Sequence, residues 1–421
     1  MRRLTQSIPS LLLVVLLLGA CSAPAPLNTP TAPSSSPTTL PTPTKSFSPT
    51  PTAVPATASP SPTPKPTVLS VVYFNGRNGH LTSWTEGKGP RQLADAANAE
   101  QVRISDDGQV VAYLGGTNSA GAYGIFAVTA DGANERLLVG QDYLRNIPPA
   151  ERIISYDFAP ASHMLYFVTD QYDLYRVDAA SGSPLPVFGP GKGGFFSFSP
   201  DSQWMVLYHP NELVLAHSDG SAARVAFQYP PDFRYIGMGP EIIWEADSSG
   251  FYMVSASGPQ GEPDSTTVWF IPVIGEPVKQ MSYAGLYGAN LSPDGRKVVY
   301  LNFRHEPIDV HVVAPDGKDT IYSYSTHSYP AMKFMGWAPD SKHFLLDLSK
   351  DGRLSDPYLC AVGEQPVKLA DTDYAFPVVW VDTGRILFVS SGNLRLQRLG
   401  GPSVSLDTVS NSYFDYTYIN P

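Results

Sequence analysis

From Thr67 onward, apolar and polar residues alternate in short bursts, each closed by a cluster of Gly, Pro, Asp, Asn or Ser. Period-two alternation broken by turn residues predicts short, half-buried strands and no long helix. One pattern recurs: an apolar residue, a small polar turn, then an apolar strand. It reads Ile104-Ser105-Asp106-Asp107-Gly108, Phe198-Ser199-Pro200-Asp201-Ser202, Leu291-Ser292-Pro293-Asp294-Gly295 and Trp337-Ala338-Pro339-Asp340-Ser341, with weaker copies at Phe158, Trp244 and Trp380. The seven anchors are spaced by 54, 40, 46, 47, 46 and 43 residues. Pro presets φ for a type I turn, Asp accepts bonds from nearby amides, and Gly tolerates the left-handed position that follows. Each copy therefore predicts a hairpin.

A second strand pair follows each hairpin, as in Ile125–Val128 and Arg136–Leu138 around the turn at Asp131-Gly132. Four strands repeated at about 45 residues predict an all-β fold, a β-propeller in which each blade buries its faces against its neighbours. The two ends of the chain complete one another. Tyr418-Ile419-Asn420-Pro421 matches a first strand up to its turn, and Ser70 to Phe74 matches the second strand that should come next. One composite blade made by both termini would leave the ring no open edge. Counting it gives eight four-stranded blades, with seven as the alternative if the copy at Trp380 or Phe158 is misread.

These repeats resemble the TolB-type propeller of bacterial envelope proteins, and are also similar to the propeller of the prolyl oligopeptidase and dipeptidyl peptidase group. The resemblance covers residues 68–421. It implies a propeller domain exposed outside the cytoplasm.

The first 67 residues show no such alternation. Arg2 and Arg3 lead into an unbroken apolar run, Leu11 to Leu18, too short to span a bilayer. The run ends in Leu18-Gly19-Ala20-Cys21, which resembles the lipobox of bacterial lipoproteins. The resemblance implies a signal peptide at 1–20 and lipidation of Cys21 as the first mature residue; the alternatives are an ordinary secretory signal with an incidental Cys and a buried apolar segment. Lipidation would make the membrane a partner and place the protein, lipid-anchored, at the cell membrane or outer surface. Residues 22–67 hold 14 Pro, 11 Thr and 8 Ser, with no Gly and no acid. They cannot bury a core and favour polyproline II, at about 3.1 Å per residue a tether near 140 Å long when extended. The composition suits a glycosylated stalk; a proline-rich ligand for a partner domain is the alternative.

The remainder carries 24 Lys plus Arg against 38 Asp plus Glu, a balance of −14. Such a surface argues against nucleic acid as a partner. With Cys21 lipidated, Cys360 has no intramolecular partner and reads as a small buried apolar residue.

Up-and-down strands put the turns within each hairpin at one end of the sheets and the connections between units at the other. The connecting end is aromatic, with Tyr143, Tyr229, Tyr235, Tyr283, Tyr287, Tyr329, Tyr374, Tyr413 and Tyr416. Tyr combines a broad apolar face with a hydroxyl, which suits peptide, protein or glycan recognition; the other use of such rings is as wedges between blades. Arg145, Glu151, Arg152, Asp232, Arg234, Glu241, Glu245 and His327 are assigned to the same end. A Gly-x-Ser-x-Gly elbow, a His-Glu-x-x-His helix, a Walker loop, an EF-hand loop and a dinucleotide fingerprint are all absent from the sequence. No catalytic residue, metal or cofactor is expected. The leading reading is a non-catalytic binding module; the alternatives are a propeller enzyme, a glycoside hydrolase or lyase, using channel carboxylates, and a spacer or structural role.

Overall fold

The structure is a computed structural model that describes residues 67–96, 99–117, 122–147, 150–180, 182–229, 233–234, 241–257, 265–284, 289–302, 308–324, 331–349, 357–369 and 375–419. Cys21 and nearly all of the tether lie outside the described residues.

The described strands form antiparallel sheets, five of them built from four strands consecutive in sequence. Five sheets have four strands, spanning Glu100–Gly140, Ile153–Pro186, Phe195–Gln228, Asn290–Tyr324 and Ala331–Lys368. A five-stranded sheet spans Phe233–Ala284, its first position shared by Phe233–Arg234 and Ile242–Trp244. The seventh has seven strands, because Ser403–Ile419 serves twice. Its first part pairs with Asn393–Arg398, and its last part pairs with Val68–Asn75, Val68 opposite Ile419 and Tyr73 opposite Phe414. The 54-residue spacing between Ile104 and Phe158 contains the single described helix, Gln141–Arg145.

The turns form for the reason the motif suggests. Ser199 Oγ donates to Asp201 Oδ1 at 2.6 Å, and the Gln203 amide donates to the same oxygen at 3.0 Å. The pattern repeats at Ser292 and Asp294 and at Ser105 and Asp107. The next residue takes a positive φ, +72° at Gly108 and +56° at Ser341. The Ser residues at this position strain the backbone, yet Ser248 Oγ accepts from the Asp201 amide at 3.1 Å and Ser341 Oγ from the Asp294 amide at 3.0 Å. Each ties its turn to the turn of the preceding sheet, which offsets the strain.

The core lies between sheets. Phe344, Val299 and Leu346 share one cluster across the sheets of Asn290–Tyr324 and Ala331–Lys368. Phe388, Ile386 and Leu345 share the next. A fully buried ring or branched aliphatic contributes about 1.5–3 kcal/mol, so stability comes chiefly from sheet-on-sheet burial. Cys360 is fully buried in one such cluster, and burial pushes its thiol up to about 12, leaving it unreactive.

Candidate binding end and the first-strand seam

First strands of neighbouring sheets pack side by side, as Glu100–Ile104 does against Ser403–Ile419 and Ile153–Phe158, and Ala375–Trp380 against Ala331–Trp337 and Ser403–Ile419. One side of such a strand has no strand to pair with, and its buried amides and carbonyls need other partners. Side chains from the adjacent sheet supply them. Trp337 Nε1 donates to the Asn290 carbonyl at 3.1 Å, Trp380 Nε1 to Gly336 at 3.3 Å, Tyr416 Oη to Trp380 at 2.8 Å and Tyr156 Oη to Gln101 at 3.0 Å. Trp244 Nε1 reaches Ser197 Oγ at 3.2 Å. Carboxylates cap the donors: the Leu291 amide donates to Glu241 Oε2 at 2.9 Å, and the Ile104 amide to Asp415 Oδ2 at 2.9 Å.

Two charged groups of these strands face one another around Asp415. Arg103 lies 3.6 Å from Asp157, with its guanidinium 6.0 Å from the Tyr156 ring centre. Burial disfavours the Arg103 charge, but Asp157 and Asp415 outweigh it and hold the guanidinium protonated. Glu241 is exposed to solvent as a residue, while its carboxyl end reaches in to the Leu291 amide. Desolvation pushes its carboxyl up to about 7, against the opposing effect of the Leu291 amide. That range suits an acid or base working near neutrality.

The connecting end is described in part. Tyr235, Tyr287, Tyr329 and Tyr374 lie outside the described residues, as do Asp232 and His327. Tyr283 lies in the fourth strand Val278–Ala284, opposite Thr266. Tyr143 sits on the short helix, donates to the Pro184 carbonyl at 3.3 Å and meets the edge of Tyr175. Tyr413 packs half-buried beside the cluster that contains Phe74 and Tyr113. Tyr229 is only 7% exposed within the core around Phe227 and Trp244, so its ring acts as a wedge. Tyr416 belongs to the first-strand seam, where its hydroxyl serves Trp380. Arg145 is exposed and paired with Asp142 at 3.3 Å.

Glu245 does not lie at the connecting end predicted for it. It follows the first strand Ile242–Trp244 instead of preceding it, and accepts from Tyr252 Oη at 2.7 Å beside the hairpin turn, at the opposite end from Glu241. The two acids therefore do not form a pair. The missed residues are Asp415 and the capping tryptophans. Their signal in sequence was the recurring Trp at the anchor position, which reads equally well as a core residue.

A cavity of about 310 Å³ opens between the strands Leu81–Thr85 and Asn393–Arg398, lined by Trp84, Glu86, Leu396, Arg398, Pro402 and Val404 among others. Among the described residues, no group of three or more His, Cys, Asp or Glu is placed to hold a metal ion.

No protein-family model and no curated protein matches the sequence. Solved structures do match in fold. Dipeptidyl peptidase 4 of Porphyromonas gingivalis is 9% identical with a TM-score of 0.52, over 80% of this chain and 59% of that one. Prolyl oligopeptidase B from Galerina marginata is 12% identical with a TM-score of 0.50, over 75% of this chain and 52% of that one. A eukaryotic initiation factor is 10% identical with a TM-score of 0.51, over 84% of this chain and 99% of that one. The chain spans only a little more than half of each peptidase, and at these identities the likeness concerns fold alone. The chain has the propeller-type fold that its resemblance to the prolyl oligopeptidase and dipeptidyl peptidase group implies.

Proposed function

We propose that this is a lipid-anchored protein of the bacterial cell envelope, built as a signal peptide, an acylated Cys21, a proline-rich tether and an eight-bladed propeller closed by its own termini. The propeller is a non-catalytic module that binds a protein, peptide or glycan at its tyrosine-rich connecting end. Support for eight blades comes from the two separate pairings made by Ser403–Ile419, which divide the seven-stranded sheet into two four-stranded units. Support for closure comes from a chain of bonds that visits every neighbouring pair. It runs from Tyr416 to Trp380, Gly336 to Trp337 and Asn290 to Leu291; from Glu241 to Trp244 and Ser197; and from Ser202 to Pro160, Tyr156 to Gln101 and Ile104 back to Asp415.

The observation that carries the binding reading is how the first-strand carboxylates are used. Glu241, through Oε2, and Asp415, through Oδ2, each cap a backbone amide of the next strand, a structural task that fixes them. Enzymatic acid–base pairs in glycoside cleavage stand about 5–10 Å apart with a substrate between them, and Glu241 and Glu245 sit at opposite ends of a strand. One observation favours the enzyme reading, the Glu241 carboxyl raised to about 7. A glycan and peptide array probed with the full chain separates the two. Binding without turnover, lost in Tyr283→Ala or Tyr287→Ala, is the expected result. Turnover abolished by Glu241→Gln would establish the enzyme instead, and array binding unchanged in both tyrosine variants would move the site elsewhere.

A further inference from the structure

The fourth strand of each unit is an open edge, and seven of these strands expose a large apolar side chain, among them Leu137, Val225, Val278, Ile321 and Val404. Open apolar edges pair with other chains unless something blunts them. Most are blunted here. Leu185–Pro186 and Val367–Lys368 are two residues long. Gly89–Ala94, Arg136–Gly140, Arg224–Gln228, Val278–Ala284 and the first part of Ser403–Ile419 all carry a register shift, an irregularity that bends an edge away from a partner. The first four of these also contain an Arg or Lys.

Asp319–Tyr324 is the exception. It pairs with Ile308–Val313 over six residues without a shift, from Val313 opposite Asp319 to Ile308 opposite Tyr324. It has no Lys or Arg, its sequence Asp-Thr-Ile-Tyr-Ser-Tyr favours a strand, and Ile321 is 53% exposed. No described strand pairs with its outer side. The strand is also held rigid. Asp319 Oδ2 lies 2.8 Å from His311 Nδ1, and Tyr322 Oη donates to the Ala361 carbonyl at 2.9 Å while accepting from the Gly363 amide at 2.7 Å.

We propose that this edge joins two copies of the chain by antiparallel strand addition, extending the Asn290–Tyr324 sheet across a two-fold axis at Ile321. The edge is self-complementary. With Ile321 opposite its twin, Asp319 falls opposite Ser323 and Thr320 opposite Tyr322, so no like charges meet. The one charged residue, Asp319, is already matched by His311. The flanking turn carries Asp316 and Lys318 and the adjacent sheet Glu364 and Lys368, while Asp309 stands one strand in, opposite Ser323, so the two lysines offset part of the repulsion expected between two acidic molecules.

Six residues of ladder make a small interface, of the transient class, so the test is sedimentation equilibrium of the full chain in detergent over a wide concentration range. Wild type is expected to pass from monomer to dimer, Ile321→Lys to remain monomeric with an unchanged melting temperature, and Val225→Lys, on a register-shifted edge, to dimerise as wild type does. A wild type that stays monomeric throughout, or an Ile321→Lys variant that dimerises equally well, overturns the proposal. Dimers lost equally in both Lys variants would show general charge repulsion instead of a specific edge, and would overturn it too.

Discussion

Replacing Asp415 with alanine strikes the seam between the strand that ends the chain and the first hairpin of the next sheet. Asp415 is 5% exposed. Its two oxygens accept from the Ile104 and Tyr416 amides, each at 2.9 Å. In Asp415→Ala both donors lose their acceptor, and Ile104 is itself only 1% exposed, so water cannot readily replace it. An orphaned buried donor costs about 1–3 kcal/mol, and Arg103 keeps only Asp157 as a close acidic partner. The expected loss is about 2–4 kcal/mol of a total near 5–15 kcal/mol. For about 350 folded residues the unfolding entropy is about 0.7 kcal/mol/K, so the melting temperature should fall by roughly 3–6 °C. Asp415→Asn retains one acceptor and should lose about half as much. Guanidinium unfolding followed by tryptophan fluorescence reads the shift in midpoint at constant slope. A stability of Asp415→Ala within about 0.5 kcal/mol of wild type, the scale of a neutral surface change, would refute the capping argument.

Gly108 has φ +72°, and a Cβ there would meet Ile419 Cγ2 at 2.2 Å, whereas Gly317 has φ +78° and open space. Alanine at Gly317 should cost roughly 1–2 kcal/mol for the left-handed backbone alone, and at Gly108 measurably more, both read from unfolding midpoints. Trp337→Phe keeps an aromatic ring but removes the donor to Asn290 and part of a buried indole, so it should cost about 1–3 kcal/mol in the same assay. The pH profile of melting should show two opposed trends. Burial alone would raise the Asp201 and Asp294 carboxyls, but bonds from Ser199 and the Gln203 amide, and from Ser292 and the Arg296 amide, hold them below the usual range. Their contribution is present above the unfolded value of about 3.9 and is lost as pH falls through the folded one. Glu241 works the other way: the folded state binds its proton more tightly, so stability should decline as pH rises from 4.5 to about 7. Glu241→Gln should remove that decline.

Much of the fold was legible because turn chemistry is local. The Ser-Pro-Asp-Gly hairpins could be read because Pro, Asp and Gly act within four residues of one another. The pairing of Val68–Asn75 with the C-terminal strand was legible because the two fragments are each half of a repeat. The strand-edge caps were not legible, since which carboxylate reaches which amide depends on contacts more than 300 residues apart, as between Asp415 and Ile104. Glu241 and Glu245, four residues apart, read in sequence as neighbours at one end. A three-residue strand between them carries them to opposite ends, and sequence spacing alone does not reveal where so short a strand begins. Tyr229 shows the same limit: an aromatic in a connection can face solvent or fill a wedge, and the packing around Phe227 decides.

The two ends of the folded region lie side by side in one sheet. Replacing both Val68 and Ile419, opposite one another in the register, with cysteine and oxidising the full chain tests this most directly, because directly paired strand positions bring Cβ atoms close to disulfide range. Peptide mapping by mass spectrometry should find positions 68 and 419 joined within a single molecule. Recovery of both as free thiols, or joined only between molecules, would contradict the pairing of these two strands.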